Sequence, residues 1–393
     1  MAFLRFTIAN RFFWRKRSIF TLKLLWFTLS VFIFCEFLIY YIVIIHCHWP
    51  QLKGQSPRAS EQTSDFVLKA MFLADTHLLG EINGHWLDKL RREWQMERAF
   101  QTALWLLQPE IVFILGDVFD EGKWSSSQAW SDDVRRFQKM FRHPTQTELI
   151  VIVGNHDIGF HYEFEGMNEC IQIGTFFQSF QLHFRKVDNS KRDTVSTTFA
   201  YCHLAIFINL LYLSIDGFTM IEQSQYRKRC NDVEKLPSSA PILLQHYPLY
   251  RRSDSKCTGE DSAPLDKKND LFREKYDVLS QEASQKLLWW FHPRLILSGH
   301  THSACEVLHN GRISEISVPS FSWRNRNNPS FIMGSISSTD FSLYKCFLPS
   351  ENTVITIYCT AGVVLVVFTL AHFLPFTSPF YFVQHLITKY KAL

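Results

Sequence analysis

Residues 111–120 read IVFILGDVFD, and residues 149–157 read LIVIVGNHD. Each is an unbroken apolar run, rich in β-branched residues, that stops at a glycine and turns polar and acidic. Such runs fit strands buried on both faces. The same grammar recurs on either side. Phe66–Ala74 runs into Asp75-Thr76-His77, Ile242–Leu244 into Gln245-His246-Tyr247-Pro248, and Leu295–Leu297 into Ser298-Gly299-His300-Thr301-His302. Helical patterns lie between them. Leu87–Leu107 places Leu87, Leu90, Trp94, Ala99, Ala103 and Leu106 at helical spacing and stops at Pro109, and Gln281–Phe291 stops before Pro293. Strands alternating with helices predict an α/β fold with sheets between helical layers. Ala205–Ile215 is apolar enough for a further strand, while the rest of 158–240 is polar and irregular.

Sites in open α/β sheets form beyond the carboxyl ends of strands. Five such ends meeting in one crevice gather Asp, Asn and His side chains. Carboxylate, amide oxygen and imidazole together suit Mn²⁺, Fe or Zn²⁺ better than Ca²⁺, which prefers oxygen alone. An aspartate can bridge two such ions through its two oxygens. Glycines before Asp117, Asn155 and His300 let the backbone turn sharply and approach a cluster. A lone D-x-H or G-D-x-x-D is more often a strand-to-turn pattern, and a lone His246 a structural histidine. Packing gives no reason for the polar groups of GNHD and GHTH after apolar strands, and five ends in this order point to a metal site.

The order D-x-H, G-D-x-x-D, G-N-H-D, H, G-H-x-H resembles the calcineurin-like metallophosphoesterase family over about residues 66–320. The resemblance implies a four-layer αββα sandwich and two divalent ions. Asp75, His77 and His302 would hold one ion, Asn155, His246 and His300 the other, and Asp117 would bridge them. It also implies that His156 sits over the phosphate, oriented by Asp157, with Asp120 supporting the ligands. Two cations about 3.5–4 Å apart lower the pKa of a bridging water and neutralise phosphate oxygens. An alkoxide leaves poorly, so His156 is the expected general acid, with charge stabilisation by its imidazolium as the alternative.

Two stretches do not fit a soluble core: Leu24–Ile45, and about Thr353–Leu374. Each spans roughly 33 Å as a helix, enough to cross a bilayer. The first is too long for a cleaved signal peptide and no small-residue cleavage site follows it, so it reads as an anchor. Arg5, Arg11, Arg15, Lys16, Arg17 and Lys23 precede it without an acid. The expected order is therefore a cytosolic basic N-terminus (1–23), a first span (24–45), a linker (46–65), a lumenal catalytic domain (66–345), a second span (353–374) and a cytosolic tail (375–393). Lys389 and Lys391 in the tail resemble a dilysine retrieval signal; the plainer reading is a basic membrane-flanking end. The net charge of +4 gives no reason to expect a nucleic-acid partner. Of nine cysteines, six fall in the expected lumenal part, where disulfides are allowed but their pairing is not legible. Glu36 is an unusual acid within the first span.

Within the family, residues 85–100, 121–124 and 317–334, with the two spans and the tail, resemble the members that remodel GPI anchors. Residues 161–235 depart from that pattern. The resemblance implies Mn²⁺ as cofactor and removal of the side-chain ethanolamine phosphate from the second mannose, with GPI-anchored proteins as substrates. It also implies residence at ER exit sites, the ER–Golgi intermediate compartment and the cis-Golgi, with the COPI coat and cargo receptors as partners. After the last ligand motif, Arg324 and Arg326 are candidates to hold phosphate, and Trp323 to stack on sugar; the alternative is an ordinary surface loop. Two other functions compete: hydrolysis of another lumenal phosphoester (lipid headgroup, nucleotide or phosphoprotein), and an inert cargo-binding membrane protein.

Overall fold

The computed structural model describes residues 2–52, 67–82, 84–158, 205–207 and 240–373. The runs that lead to the polar motifs are strands of two five-stranded sheets. The first sheet joins β1 (Leu68–Leu73), β2 (Ile111–Leu115), β3 (Glu148–Ile152), β9 (Ser330–Ile336) and β10 (Phe341–Phe347) in the order β10-β9-β1-β2-β3. The second joins β4 (Ala205–Phe207), β5 (Ile242–Gln245), β6 (Leu295–Ser298), β7 (Cys305–His309) and β8 (Ile313–Ser317) in the order β4-β5-β6-β8-β7. β1, β2 and β3 are parallel, as are β4, β5, β6 and β8, whereas β7, β9 and β10 pair antiparallel. The helices are α1 (Ala2–Ile33), α2 (Ile39–Ile44), α3 (Trp86–Leu107), α4 (Ser127–Met140), α5 (Asn155–Ile158), α6 (Gln281–Phe291) and α7 (Glu351–Phe373).

The sheets pack face to face because alternate residues of each strand are apolar. Ala70 and Phe72 of β1, Ile111, Phe113 and Leu115 of β2, and Ile150 and Ile152 of β3 share one core with Ile242, Leu244, Leu295 and Leu297 of the second sheet. The outward set of the second sheet, Leu243 and Ile296, packs with Leu287 and Leu288 of α6. Met71, Leu73, Val112 and Ile114 on the far face of the first sheet are buried too. This is the αββα sandwich that the alternating pattern predicts. The expected helix ends hold for a local reason. Gln108 and His292 close α3 and α6 in left-handed backbone (φ 46° and 44°), one residue before Pro109 and Pro293.

Register aligns the strand ends. Leu73 pairs with Ile114, Leu115 with Ile152, and Gln245 with Ser298. Parallel strands in such register release Asp75, Asp117, Asn155, His246 and His300 at one edge of the sandwich.

The chain forms two units, one containing α1 and α7 and the other running from Tyr40 to Ser350. Ser18–Ile44 and Glu351–Phe373 are each long and apolar enough to cross a membrane. In the helical unit a π-helical turn, Phe34–Leu38, carries Glu36, whose carboxylate accepts the Tyr358 hydroxyl, and the Phe20 ring stacks on His372 at 3.8 Å. In the other unit the expected linker is fastened at its start. Cys47 is disulfide-bonded to Cys346 of β10, and Trp49 Nε1 donates to Leu107 O at 2.8 Å. A second disulfide joins Cys257 and Cys305. The remainder of the expected 205–215 strand, most of 161–235, and Lys389 and Lys391 lie outside the described residues.

Candidate metal centre

Each strand end has to turn at once from apolar extended chain into a polar cluster, and the backbone shows the cost. Asp75, His77, Asp117, His300 and His302 all have left-handed φ, from 44° to 71°. Such values are uncommon outside glycine and collect at functional sites. Gly116 (φ 89°) makes the turn ahead of Asp117, and a Cβ there would run into the His246 ring. A Cβ on Gly154 would fall within the Asp117 carboxylate and amide, and one on Gly299 would meet Leu115 O at 2.8 Å. These last two glycines are required by close approach rather than by φ.

The side chains converge in two sets with one shared member. One donor atom from each of Asp75, His77, Asp117 and His302 lies within 4.8 Å of the others, and the same holds for Asp117, His246 and His300. His77 Nε2 lies 3.0 Å from His302 Nε2 and 3.5 Å from Asp117 Oδ2. On the other side His246 Nε2 lies 3.3 Å from Asp117 Oδ2, 3.0 Å from Asn155 Oδ1 and 3.2 Å from His300 Nδ1. The structure thus brings together all seven residues expected to bind metal.

The far side of each ring is anchored. His77 Nδ1 meets Asp120 Oδ1 at 3.0 Å, His246 Nδ1 meets Leu115 O at 2.8 Å, and His300 Nε2 meets Tyr276 O at 3.0 Å. Each anchor is an acceptor, so the anchored nitrogen carries the hydrogen and the other presents a lone pair inward. Inward lone pairs facing carboxylate and amide oxygens repel unless positive charge lies among them. The donor set therefore fits divalent cations.

Until a cation binds, protons take its place in the same charge balance, and His246 then carries hydrogen on both nitrogens. Burial opposes charging His246, but Asp117 and Asp75 outweigh it and carry the ring up to about 9. Burial, with Asp117 adding, pushes Asp75 up to about 7 against the pull of His246 and His77. Asp117 is held well below the ordinary carboxylate range, its burial overcome by His246 and His77. Burial and the neighbouring His77 keep His302 well below its usual value.

His156 is half-buried beside this cluster, and burial lowers its pKa. Its orientation differs from expectation. Nδ1 contacts the backbone carbonyl of Asp120 at 2.8 Å, not Asp157. Asp157 is fully buried and accepts the amides of Phe119 (2.9 Å) and Gly154 (2.7 Å), tying the ends of β2 and β3 together. A buried carboxylate in reach of two unpaired amides satisfies them rather than a ring. Asp120 reaches His77, as expected, and also Arg324 Nη2 at 3.3 Å; these outweigh burial and carry its carboxyl down to about 2.

The loop after β8 divides. Trp323 is buried, with Nε1 donating to Pro349 O at 2.9 Å and its amide to Gln95 Oε1 at 3.2 Å, so it cannot stack on a sugar. Arg326 braces the loop of the last motif, donating to Ser303 Oγ at 2.7 Å and Ser262 O at 3.1 Å. With longer bonds to His302 O and Asn328 Oδ1 they occupy both terminal nitrogens, and the remaining Nε is buried out of reach of phosphate. Arg324, its side chain 37% exposed, remains at the rim beside Asp120. Ser320 Oγ donates to Asp75 O at 2.7 Å, so this loop also supports Asp75. Lys123 belongs to none of the ligand motifs. Its ammonium lies 4.3 Å from the Trp124 ring and within electrostatic reach of Asp117 and Asp120. The signal was a lysine three residues past Asp120. Asp254, Cys257 and Cys305 also cluster, but both sulfurs are spent in the disulfide.

Comparison with known proteins agrees with this geometry. The family described as calcineurin-like phosphoesterase matches residues 68–304. Proteins named metallophosphoesterase 1 are similar over nearly the whole chain. That of Gallus gallus is 60% identical over 98% of this chain and 98% of its own, and that of Xenopus laevis 61% over 87% of each. That of Ailuropoda melanoleuca is 55% identical over 100% of both.

Proposed function

The chain belongs to the calcineurin-like phosphoesterase family, and from that premise we propose that it is a membrane-anchored, Mn²⁺-dependent phosphodiesterase that removes the side-chain ethanolamine phosphate from the second mannose of GPI anchors in the early secretory pathway. Metal-dependent hydrolysis of phosphoesters is the family's chemistry. The observation that carries the reading is the sharing of Asp117 by the two donor sets. Asp75, His77, Asp117 and His302 would hold one ion, and Asp117, Asn155, His246 and His300 the other. When bound, such a pair supplies an activated water and neutralises phosphate oxygens.

The chain's own groups do the rest. The Asp120 carbonyl accepts from His156 Nδ1 and so turns Nε2 toward the site; burial disfavours the imidazolium, so the ring takes up its second proton beside the anionic phosphate and passes it from Nε2 to the leaving oxygen. Arg324 at the rim has a guanidinium suited to a non-bridging phosphate oxygen. Two helices of membrane-crossing length favour a membrane-linked substrate, since tethering raises its effective concentration. The stretches at 85–100, 121–124 and 317–334 support the GPI glycan as that substrate, with both termini cytosolic and GPI-anchored proteins, COPI and cargo receptors as partners.

The test is mass spectrometry of GPI glycans from cells lacking the protein, rescued with wild type or Asp117→Ala. The expected result is retained ethanolamine phosphate, removed by wild type alone. Unchanged glycans would turn the reading toward another lumenal phosphoester, and rescue by Asp117→Ala toward an inert cargo-binding role.

A further inference from the structure

The outward face of α3 exposes large apolar side chains at both ends, with Glu97 and Gln101 between them bonded to the Arg142 segment. Trp86, Leu87, Leu90 and Trp105 are 69%, 52%, 58% and 67% exposed. At 100° per residue all four fall within an arc of about 100°, and Leu87 and Trp105 lie on one line of the helix about 27 Å apart. The opposite side buries Met96, Ala99, Phe100, Ala103 and Leu107, so the core is already supplied. Ile82, 65% exposed, extends the patch just ahead of the helix. Arg91 and Arg98 run along one side of the line, their guanidiniums over the Trp323 and Trp94 rings at 5.4 and 4.7 Å, and Arg98 also lies 3.5 Å from Glu97.

The fastening of the C-terminal end of α3 says what covers this face. The Trp105 ring meets the Tyr41 ring edge to face at 5.8 Å. Two residues further on, Leu107 O accepts Trp49 Nε1, and the Cys47–Cys346 disulfide pins the intervening chain to β10. Tyr41 lies in the last turn of Ser18–Ile44, the first stretch of membrane-crossing length. If that stretch spans, Tyr41 is at headgroup depth, and Trp105, in ring contact with it, is at the same depth. Tryptophan and tyrosine collect at that level, and a line of Trp and Leu bordered by arginines is the pattern of a helix lying in the interface.

We infer that the outer face of α3 docks on the lipid surface from which the first helix emerges. Its apolar line enters the boundary between headgroups and acyl chains, and Arg91 and Arg98 face lipid phosphates. The inference rests on the membrane-spanning part of the function proposed above. It also directs substrate. Ile82 at the near end of the patch donates its amide to Glu121 Oε2 at 2.8 Å, and Glu121 directly follows Asp120. The lipid-facing line therefore leads to the rim of the metal centre, where a lipid-linked phosphodiester arrives without leaving the bilayer.

The test uses the full chain in nanodiscs of phosphatidylcholine and phosphatidylserine carrying lipids brominated near the headgroup. Trp86→Phe and Trp105→Phe are each expected to lower the bromide-quenched share of tryptophan fluorescence. Leu90→Glu is expected to raise KM for a bilayer-embedded phosphodiester about tenfold or more, the scale of one unburied leucine, with kcat/KM for soluble bis(p-nitrophenyl) phosphate unchanged. A chain retained in the bilayer whose quenching is unaffected by either tryptophan substitution overturns the docking and leaves the face to a protein partner. Release of the wild-type chain by alkaline carbonate overturns the spanning reading, and the docking with it.

Discussion

The Oδ2 atom of Asp117 lies 3.3 Å from Nε2 of His246, a contact that crosses from the end of β2 in one sheet to the end of β5 in the other. Since Oδ2 also lies 3.5 Å from His77 Nε2, Asp117 belongs to both donor sets, whereas His302 belongs to one and His300 to the other. Asp117→Ala should therefore lose both metals, while His302→Ala and His300→Ala each lose about one. Metal content of the purified full-length chain reads this directly. Phosphodiester hydrolysis by Asp117→Ala should fall by about 100- to 1,000-fold or more. Equal metal loss in all three variants would mean that the two sets act as a single site.

Gly154→Ala should mimic that loss while keeping every candidate ligand in the sequence. The added methyl would occupy the space of the Asp117 carboxylate, which must move or be displaced. Metal affinity and hydrolysis should fall together, and the melting temperature of the metal-free chain should fall with them, because the methyl also runs into the Asp117 amide. Gly311→Ala gives the contrast. Gly311 has φ 70° with nothing near its Cβ position, so alanine there should cost stability alone.

The convergence of the candidate ligands is legible because they are polar side chains at the ends of buried apolar strands, a position that packing does not explain. No strand after Leu297 is legible in the sequence, although four follow among the described residues. β7 and β10 expose most of their residues in part, and β9 (SFIMGSI) carries Ser and Gly, so no clean apolar run marks them. The role of Asp157 was hidden for another reason. It pairs with two backbone amides, and only the tertiary register of β2 beside β3 brings them within reach. Disulfide partners 299 and 48 residues apart are likewise set by sheet topology and not by spacing.

The divided loop after β8 separates binding from stability. Arg324→Ala should raise KM for a phosphodiester about tenfold or more, the scale of one charged hydrogen bond, and leave the melting temperature near wild type. Trp323→Ala should do the reverse, destabilising by about 3–5 kcal/mol as a buried aromatic is removed. Steady-state kinetics and thermal melts on the same samples distinguish the two. A KM effect in a well-folded Trp323 variant would restore the stacking role.

Glu148 gives a pH dependence away from the metals. Burial pushes its carboxyl from 4.5 up to about 7. Between those values the folded chain holds a proton that the unfolded chain has released, so stability falls as pH rises through that window. Glu148→Gln removes the loss. The variant should match wild type near pH 4 and melt above it near pH 8, by differential scanning fluorimetry. A gap that is constant across pH would show that the carboxyl ionises normally in the fold.

The loop carrying His300 and His302 is held by residues that touch no ligand atom. Arg251, buried, donates through Nε to Asp254 Oδ1 at 2.9 Å and approaches Thr301 Oγ1 through Nη2 at 3.5 Å, between the two histidines. Three residues beyond Asp254, Cys257 is bonded to Cys305, which closes the same loop on its other side. Both histidines sit in left-handed backbone, φ 71° and 58°, a conformation that costs about 1–3 kcal/mol per residue unless the surroundings enforce it. Because the loop serves both donor sets, loosening it should weaken both together. The Cys257→Ser, Cys305→Ser double variant and Arg251→Ala should each lower metal affinity about 10- to 100-fold, with Arg251→Lys recovering part of it. Competition with a metal-sensitive dye measures this independently of turnover. Wild-type affinity in the double variant would show that the disulfide only stabilises the fold and that the strained loop is held by Arg251 and Arg326.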